Sequence, residues 1–193
     1  MDTPEIPVSM IVLAGGRSRR MGRDKADLML EGRSFLMHQI EKGRALGIRD
    51  ILISGYRGED CPYPVIPDTV QQQGPLGGIE ACMRRARHGK CLVVTVDTPL
   101  APKELLGELI DAALRSPAPA VVLCHGGWVE PLLSVWDTAL LPRIGESLAR
   151  EERGVFRLLR EAGYEVFRTE GDARLSNINT PEDYARLCPG ETL

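Results

Sequence analysis

Residues 9–25 read SMIVLAGGRSRRMGRDK. The apolar run Met10-Ile11-Val12-Leu13-Ala14 has no polar alternation and stops at Gly15-Gly16, so it reads as a buried strand. Working outward, short β-branched runs alternate with longer helical patterns. Leu36, Ile40, Gly43 and Gly47 share one face of a helix expected over 34–47. DILISG (50–55) and a short YPVIPD (63–68) read as strands. Leu76, Ile79, Met83 and Ala86 form a stripe that places a helix after Gly74-Pro75. CLVVTV (91–96) is a strongly buried strand cut off at Asp97-Thr98-Pro99. Leu105, Leu109, Ile110 and Ala113 give another helix, and APAVVLC (118–124) and EPLLSVW (130–136) two more strands. Helical stretches follow near 138–150 and 155–162, then a last strand, YEVFRT (164–169). Thr180-Pro181-Glu182-Asp183 has a capping residue, a proline in the first turn and two acids at the positive helix end, which predicts a final helix. The alternation implies an α/β fold with a largely parallel sheet. In such sheets ligands bind beyond the carboxyl ends of the strands, where strand order reverses. Gly15-Gly16, Asp68, Asp97 and the pair Asn177/Asn179 fall at those expected ends.

The length of 193 residues suits one domain over 1–193, with 1–8 expected as a flexible tail. The chain has 24 Lys+Arg against 27 Asp+Glu, a net charge of −3, which argues against a dedicated nucleic-acid binder but allows a local basic patch. Apolar runs such as MIVLA are too short to span a membrane. The start, MDTPEIPVS, has no basic residue and no apolar stretch of the secretory kind. Five scattered cysteines without Cys-x-x-Cys suggest neither disulfides nor zinc. Cytoplasmic residence is the expectation.

The chemistry concentrates after the first strand. Paired glycines let a ligand approach the backbone, whose N–H groups can face phosphate oxygens. Arg17, Arg19, Arg20, Arg23 and Lys25 then put five cations within nine positions, which suits a polyanion such as a nucleoside triphosphate. A solvated basic loop is the alternative. The loop is neither Gly-x-Gly-x-x-Gly nor Gly-x-x-x-x-Gly-Lys-Ser/Thr. Asp97, a carboxylate after an apolar strand, can hold a divalent cation or cap the next turn. Asn177 and Asn179 alternate, which puts both amides on one face.

The string LAGGRSRRMGRDK (13–25) resembles the signature loop of nucleotidyltransferases of the molybdenum cofactor guanylyltransferase (MobA) type. IPDTVQQQGPLGGI (66–79), VDTPLAP (96–102), EPLLSVW (130–136) and NINTPEDY (177–184) extend the resemblance, in the family's order, over nearly the whole chain. The resemblance implies a three-layer, Rossmann-like nucleotidyltransferase fold. It implies that GMP passes from GTP to molybdopterin, or to its molybdenum-loaded form, releasing pyrophosphate with the help of Mg²⁺. Family members that use CTP more often read Leu-Ala-Ala-Gly, so Gly15 points to the guanylyl branch. Alternatives are a cytidylyl or sugar-phosphate nucleotidyltransferase of the same fold, and a nucleotide-binding regulator or carrier without turnover.

The resemblance also implies roles. Lys25 and Arg20 would hold triphosphate oxygens, with backbone N–H groups from Ala14 to Gly16 after Leu13. Asp97 would hold the metal. Asp68 would contact the nucleoside, and Gly74-Pro75-Leu76-Gly77-Gly78 would line the base. Glu130 and Pro131, with Asn177 and Asn179, would face the acceptor. A transient contact with cofactor-insertion proteins or cofactor-using enzymes is expected; a nucleic-acid or membrane partner is not. Three positions depart from the pattern. Ser54 and Tyr56 stand where guanylyl members often carry asparagines, and a tyrosine there could stack on a base, which leaves GTP against CTP open. Asp27 adds a carboxylate where apolar residues are common. Trp128 and Trp136 mark either the pterin side or simply core and surface.

Overall fold

The computed structural model describes residues 5–15, 24–58, 61–67 and 73–189. Gly16, Arg17, Arg19, Arg20, Arg23 and Asp68, all named above, lie outside the described residues. The first strand, β1 (Val8–Leu13), is buried at every position, as an unbroken apolar run requires in a sheet covered on both faces. Val8 belongs to this strand and the Ile6 N–H donates to Gly47 O at 3.3 Å. The chain is therefore held from Ile6 onward, which corrects the inner end of the tail expected over 1–8.

A short hairpin follows, β2 (Met29–Leu30) and β3 (Arg33–Ser34), turned by Glu31 at φ 50° and Gly32 at φ 75°. Two successive positive φ values give the tight turn that matches strand twist. Ser34 then caps α1 (Phe35–Ala45) by accepting from the Met37 N–H at 3.2 Å. The chain continues through β4 (Ile51–Ser54), β5 (Val65–Ile66), α2 (Gly74–Met83), β6 (Lys90–Thr95), α3 (Lys103–Arg115), β7 (Ala120–His125) and β8 (Trp128–Asp137). It ends in α4 (Leu141–Ala149), α5 (Val155–Ala162), β9 (Glu165–Thr169) and α6 (Pro181–Leu187).

The main sheet has 7 strands in the order β5-β4-β1-β6-β8-β7-β9. Among its described strands, only β8 runs antiparallel to its neighbours. Two apolar clusters lie on opposite faces. Met10 and Val12 of β1 pack with Leu36, Ile40, Leu106 and Ile110 of α1 and α3. Ile11 and Leu13 pack with Leu76, Ile79, Ile144 and Leu158 of α2, α4 and α5. The result is the α/β architecture that the alternation of elements predicts, in the three layers that the resemblance implies. Trp136 is fully buried, its indole N–H donating to Ser134 Oγ at 2.7 Å, so it belongs to the core; Trp128 is 76% exposed.

Strand order reverses at β1, which has β4 on one side and β6 on the other. Leu13 registers against both Ser54 and Thr95, so the three strands end together. This is the crevice where doubly wound sheets bind ligands. Among the described residues no helix is long and apolar enough to cross a membrane.

Candidate active site

The residues that follow β1, β4 and β6 meet at this reversal. Gly15 and Gly55 are packed backbone to backbone: a Cβ built on Gly15 would lie 3.0 Å from Gly55 Cα. The Gly15 signal has therefore a second physical reason besides access to phosphate. The Ala14 N–H donates to Ser54 O at 2.8 Å and is spent on the sheet. This corrects the expectation that the Ala14 amide faces phosphate. Leu13 and Ala14 are buried, so they form the floor of the crevice rather than its wall.

Lys25 opens a short 3-10 helix, Lys25–Asp27, whose N-cap Asp24 accepts from the Ala26 N–H. Its Nζ donates to Asn179 Oδ1 at 2.7 Å and lies 3.1 Å from Asp97 Oδ1. Three residues 154 positions apart at the extremes are thus joined around one ammonium group. The backbone adds to the junction: the Ile178 N–H donates to Asp97 O at 2.9 Å. Ile178 is fully buried while Asn177 and Asn179 are exposed, which is the one-face alternation that the sequence predicts. Asn179 is held by the cap of α6. Its N–H and that of Thr180 both donate to Asp183 Oδ2 at 3.1 Å, and the Asn179 N–H helps hold the Asp183 carboxyl below the usual carboxylate range. From the other side, Tyr184 Oη donates to Met29 O at 2.6 Å, tying α6 to the segment that follows Lys25.

Two of the three departures from the family pattern, Tyr56 and Asp27, meet each other. Tyr56 Oη donates to Asp27 Oδ1 at 3.0 Å. Burial, followed by the bond to Asp27, pushes the phenol up to about 12, so it stays protonated at neutral pH. Tyr56 also lies over Gly58, where a Cβ would collide with its hydroxyl. It therefore braces the Lys25 segment against the end of β4.

Gly74 and Pro75 are the first residues of α2, with Gly74 at φ 65°. Leu76, Gly77 and Gly78 are buried in its first turns, so this stretch is a helix start rather than a loop. A Cβ on Gly77 would sit 2.5 Å from Gln73 Cβ, which explains that glycine. Glu130 and Pro131 lie in β8 where its pairing with β7 shifts register between Val122 and Leu123. Glu130 Oε1 is 3.5 Å from His125 Nε2, and Pro131 O accepts from Ser134 Oγ at 2.7 Å. Both residues sit on the same edge of the sheet as Asp97, and among the described residues no hydrogen bond or ion pair joins either to Lys25, Asp97 or Asn179.

The sequence reading passed over Gln39 and Lys42. Gln39 is fully buried, and its Nε2 donates to Thr95 O at 2.7 Å and Thr98 O at 2.9 Å. Lys42 Nζ donates to Pro99 O at 2.5 Å. The available signal was a polar residue between Leu36 and Ile40 on the buried stripe of α1. Burial pushes the Lys42 ammonium down from 10.5 to about 7. The unfolded chain keeps the ordinary value, so between those two values unfolding takes up a proton and stability rises with pH. Between pH 7 and 8.5, wild type should gain on the order of 1 kcal/mol relative to Lys42→Met in urea denaturation. Parallel pH profiles for the two proteins would contradict this.

The profile of the MobA-like NTP transferase domain matches residues 10–166. The chain belongs to the MobA-like NTP transferase family. A molybdenum cofactor guanylyltransferase of Pseudomonas putida is 36% identical over 183 residues, covering 91% of this chain and 95% of the relative. Among solved structures, molybdopterin-guanine dinucleotide biosynthesis protein A of Archaeoglobus fulgidus has a TM-score of 0.78 at 23% identity, covering 93% of this chain and 96% of that one. The 2-C-methyl-D-erythritol 4-phosphate cytidylyltransferase of Thermus thermophilus has a TM-score of 0.69 at 22% identity, covering 94% and 97%. This MobA-like chain is a nucleotidyltransferase by family, and its Lys25–Asp97–Asn179 junction lies inside the matched fold.

Proposed function

We propose that the chain transfers GMP from GTP to the terminal phosphate of molybdopterin, or of its molybdenum-loaded form, and releases pyrophosphate. The observation that carries this reading is the Lys25 ammonium held between Asp97 and Asn179 at the point where strand order reverses. The Pseudomonas guanylyltransferase, aligned over nearly the whole chain, supports guanosine rather than cytidine.

A phosphate oxygen of the acceptor attacks the α-phosphorus of GTP, and the bond from that phosphorus to the bridging oxygen of pyrophosphate breaks. Both partners are anionic, so positioning and charge neutralisation carry the rate. Lys25 supplies one cation, and Arg20 a second from the same stretch of sequence. Gly15 and Gly16 offer backbone N–H groups in place of the spent Ala14 amide. Asp68 and the start of α2 hold the nucleoside. Glu130, Pro131, Asn177 and Asn179 face the acceptor. No side-chain base is required, because the acceptor phosphate has its second pKa at about 6 and is mostly ionised at neutral pH.

Mg²⁺ fits the donor set. Asp97 offers a partly exposed carboxylate beside the amide oxygen of Asn179 and already faces a cation, the Lys25 ammonium. Among the described residues there is no group of three or more His, Cys, Asp or Glu that would form an all-protein cage. Mg²⁺ commonly binds through one or two carboxylates plus substrate phosphates. When bound it would offset charge on the leaving pyrophosphate. We place the reaction in the cytoplasm, with delivery of the product by transient contact with a cofactor-insertion protein or cofactor-using enzyme.

The test is incubation with Mg²⁺, molybdopterin and each nucleoside triphosphate, following pyrophosphate and dinucleotide. GTP should give both products. Exclusive use of CTP would overturn the guanylyl assignment. Tight GTP binding without pyrophosphate for any acceptor would favour a regulator.

A further inference from the structure

A glutamine with no exposed surface on the apolar face of α1 has to satisfy its amide, and Gln39 does so on one short segment. Its Nε2 donates to Thr95 O and Thr98 O, the two carbonyls on either side of Val96-Asp97. The amide can point only one way, because both carbonyls accept and Lys42 Nζ donates to Gln39 Oε1 at 3.4 Å. Lys42 also donates to Pro99 O, the next carbonyl along. Three main-chain N–H groups of this turn bond locally or to the sheet. The Val96 N–H donates to Leu13 O, the Asp97 N–H to Thr95 Oγ1, and the Ala101 N–H to Thr98 O. Among the described residues, the hydrogen bonds that tie it to the helix beneath come from Gln39 and Lys42, beside the apolar packing of Val96 and Ala101. The turn in turn carries the Asp97 carboxylate and, through Asp97 O, the Ile178 N–H between Asn177 and Asn179.

We infer that Gln39 is a positioning residue for the transfer reaction: its buried amide, oriented by Lys42, fixes the turn that aims Asp97 and the asparagine segment into the crevice. The inference rests on the proposed function for the task of Asp97, but the clamp itself is a property of the free protein. Gln39 touches no reacting atom. It acts through the backbone of residues 95–99, as outer groups act on the ligands they orient. The two devices divide the work. Lys25 lies against the Asp97 carboxylate, and Gln39 sets where that carboxylate sits.

The experiment uses the full chain and Gln39→Met, which keeps the volume and removes the amide. Folding is checked by near-ultraviolet circular dichroism. Amide hydrogen exchange is then read in the ligand-free protein. Protection should fall at least ~10-fold at Val96, Asp97 and Ile178, a local opening, and remain unchanged in β4. Unchanged exchange at Asp97 and Ile178 in the folded variant overturns the inference. In the transfer assay, kcat should fall, or half-saturating Mg²⁺ should rise, by ~10–100-fold while KM for GTP stays within ~3-fold. A uniform rise in GTP KM with kcat retained would mean a merely structural glutamine and also overturns it. If Gln39→Met does not fold, Lys42→Met decides: it should raise exchange at the same amides, and an unchanged pattern counts against the clamp. A wild type that transfers no nucleotide would defeat the proposed function while the exchange result still judges the clamp.

Discussion

Lys25→Ala and Asp97→Ala are each expected to lower the transfer rate at least ~100-fold, as for a lost electrostatic group in the transition state. Neither change should unfold the protein. The Lys25–Asp97 pair is partly exposed, with side chains 13% and 32% accessible, and such pairs contribute only about 0–1 kcal/mol to stability. A hundredfold rate corresponds to about 2.7 kcal/mol of barrier, so the effect on activity should exceed the effect on folding. Because the two groups touch, their changes should not add: the double variant should be less impaired than the product of the single losses. Pyrophosphate release under saturating substrates, with melting temperature measured on the same samples, checks this. Activity within a few-fold of wild type in either variant would remove that residue from the mechanism.

Gly55→Ala should be the most damaging change of a small residue. Gly55 has φ 77°, where a side chain is strained, and an added Cβ would lie 2.5 Å from Gly15 Cα and 2.8 Å from Gly15 N. Both obstacles are backbone, so no rotamer change relieves them. Left-handed strain costs about 1–3 kcal/mol and forced repacking typically another 1–3 kcal/mol. The expected loss is at least ~2 kcal/mol in urea denaturation. The displacement falls on Gly15, where the triphosphate is proposed to lie, and a shift on the order of 1 Å can cost ~100-fold in rate. Gly15→Ala should be milder, because its Cβ would approach no closer than 3.0 Å. Wild-type stability in Gly55→Ala would mean that the ends of β1 and β4 separate freely, and that the floor of the site is not fixed by this contact.

These two predictions differ in how visible they were in the chain. Local signals were strong where one segment determines its own shape. The Thr180 cap and Asp183 close a complete capping box on α6, and the alternation of Asn177, Ile178 and Asn179 needs only strand geometry. The strand ends at Leu13 and Thr95 were legible to within a residue, because the apolar runs stop just beyond them, at Gly15 and Asp97. Contacts between distant segments were not. Nothing near Gly55 announces Gly15 as its neighbour, and nothing near Tyr56 announces Asp27. The β2–β3 hairpin has strands of 2 residues each, too short to show a period. The reversed direction of β8 follows from the tight Gly126-Gly127 turn, with φ 53° and 86°, rather than from its apolar pattern. Gln39 was hidden because an apolar stripe was read by its apolar members, and the polar one between them carries the link to Asp97.

The central claim is that the segment from Gly15 to Lys25 cradles a triphosphate opposite Asp97. The most direct measurement is a crystal structure with Mg²⁺ and a GTP analogue that resists attack at the α-phosphorus. Phosphate oxygens should lie against the backbone after Gly15, with Lys25 Nζ turned from Asp97 onto the triphosphate and Asp97 freed to face Mg²⁺. The analogue bound elsewhere, with Lys25 still 3.1 Å from Asp97 and 2.7 Å from Asn179, would contradict it.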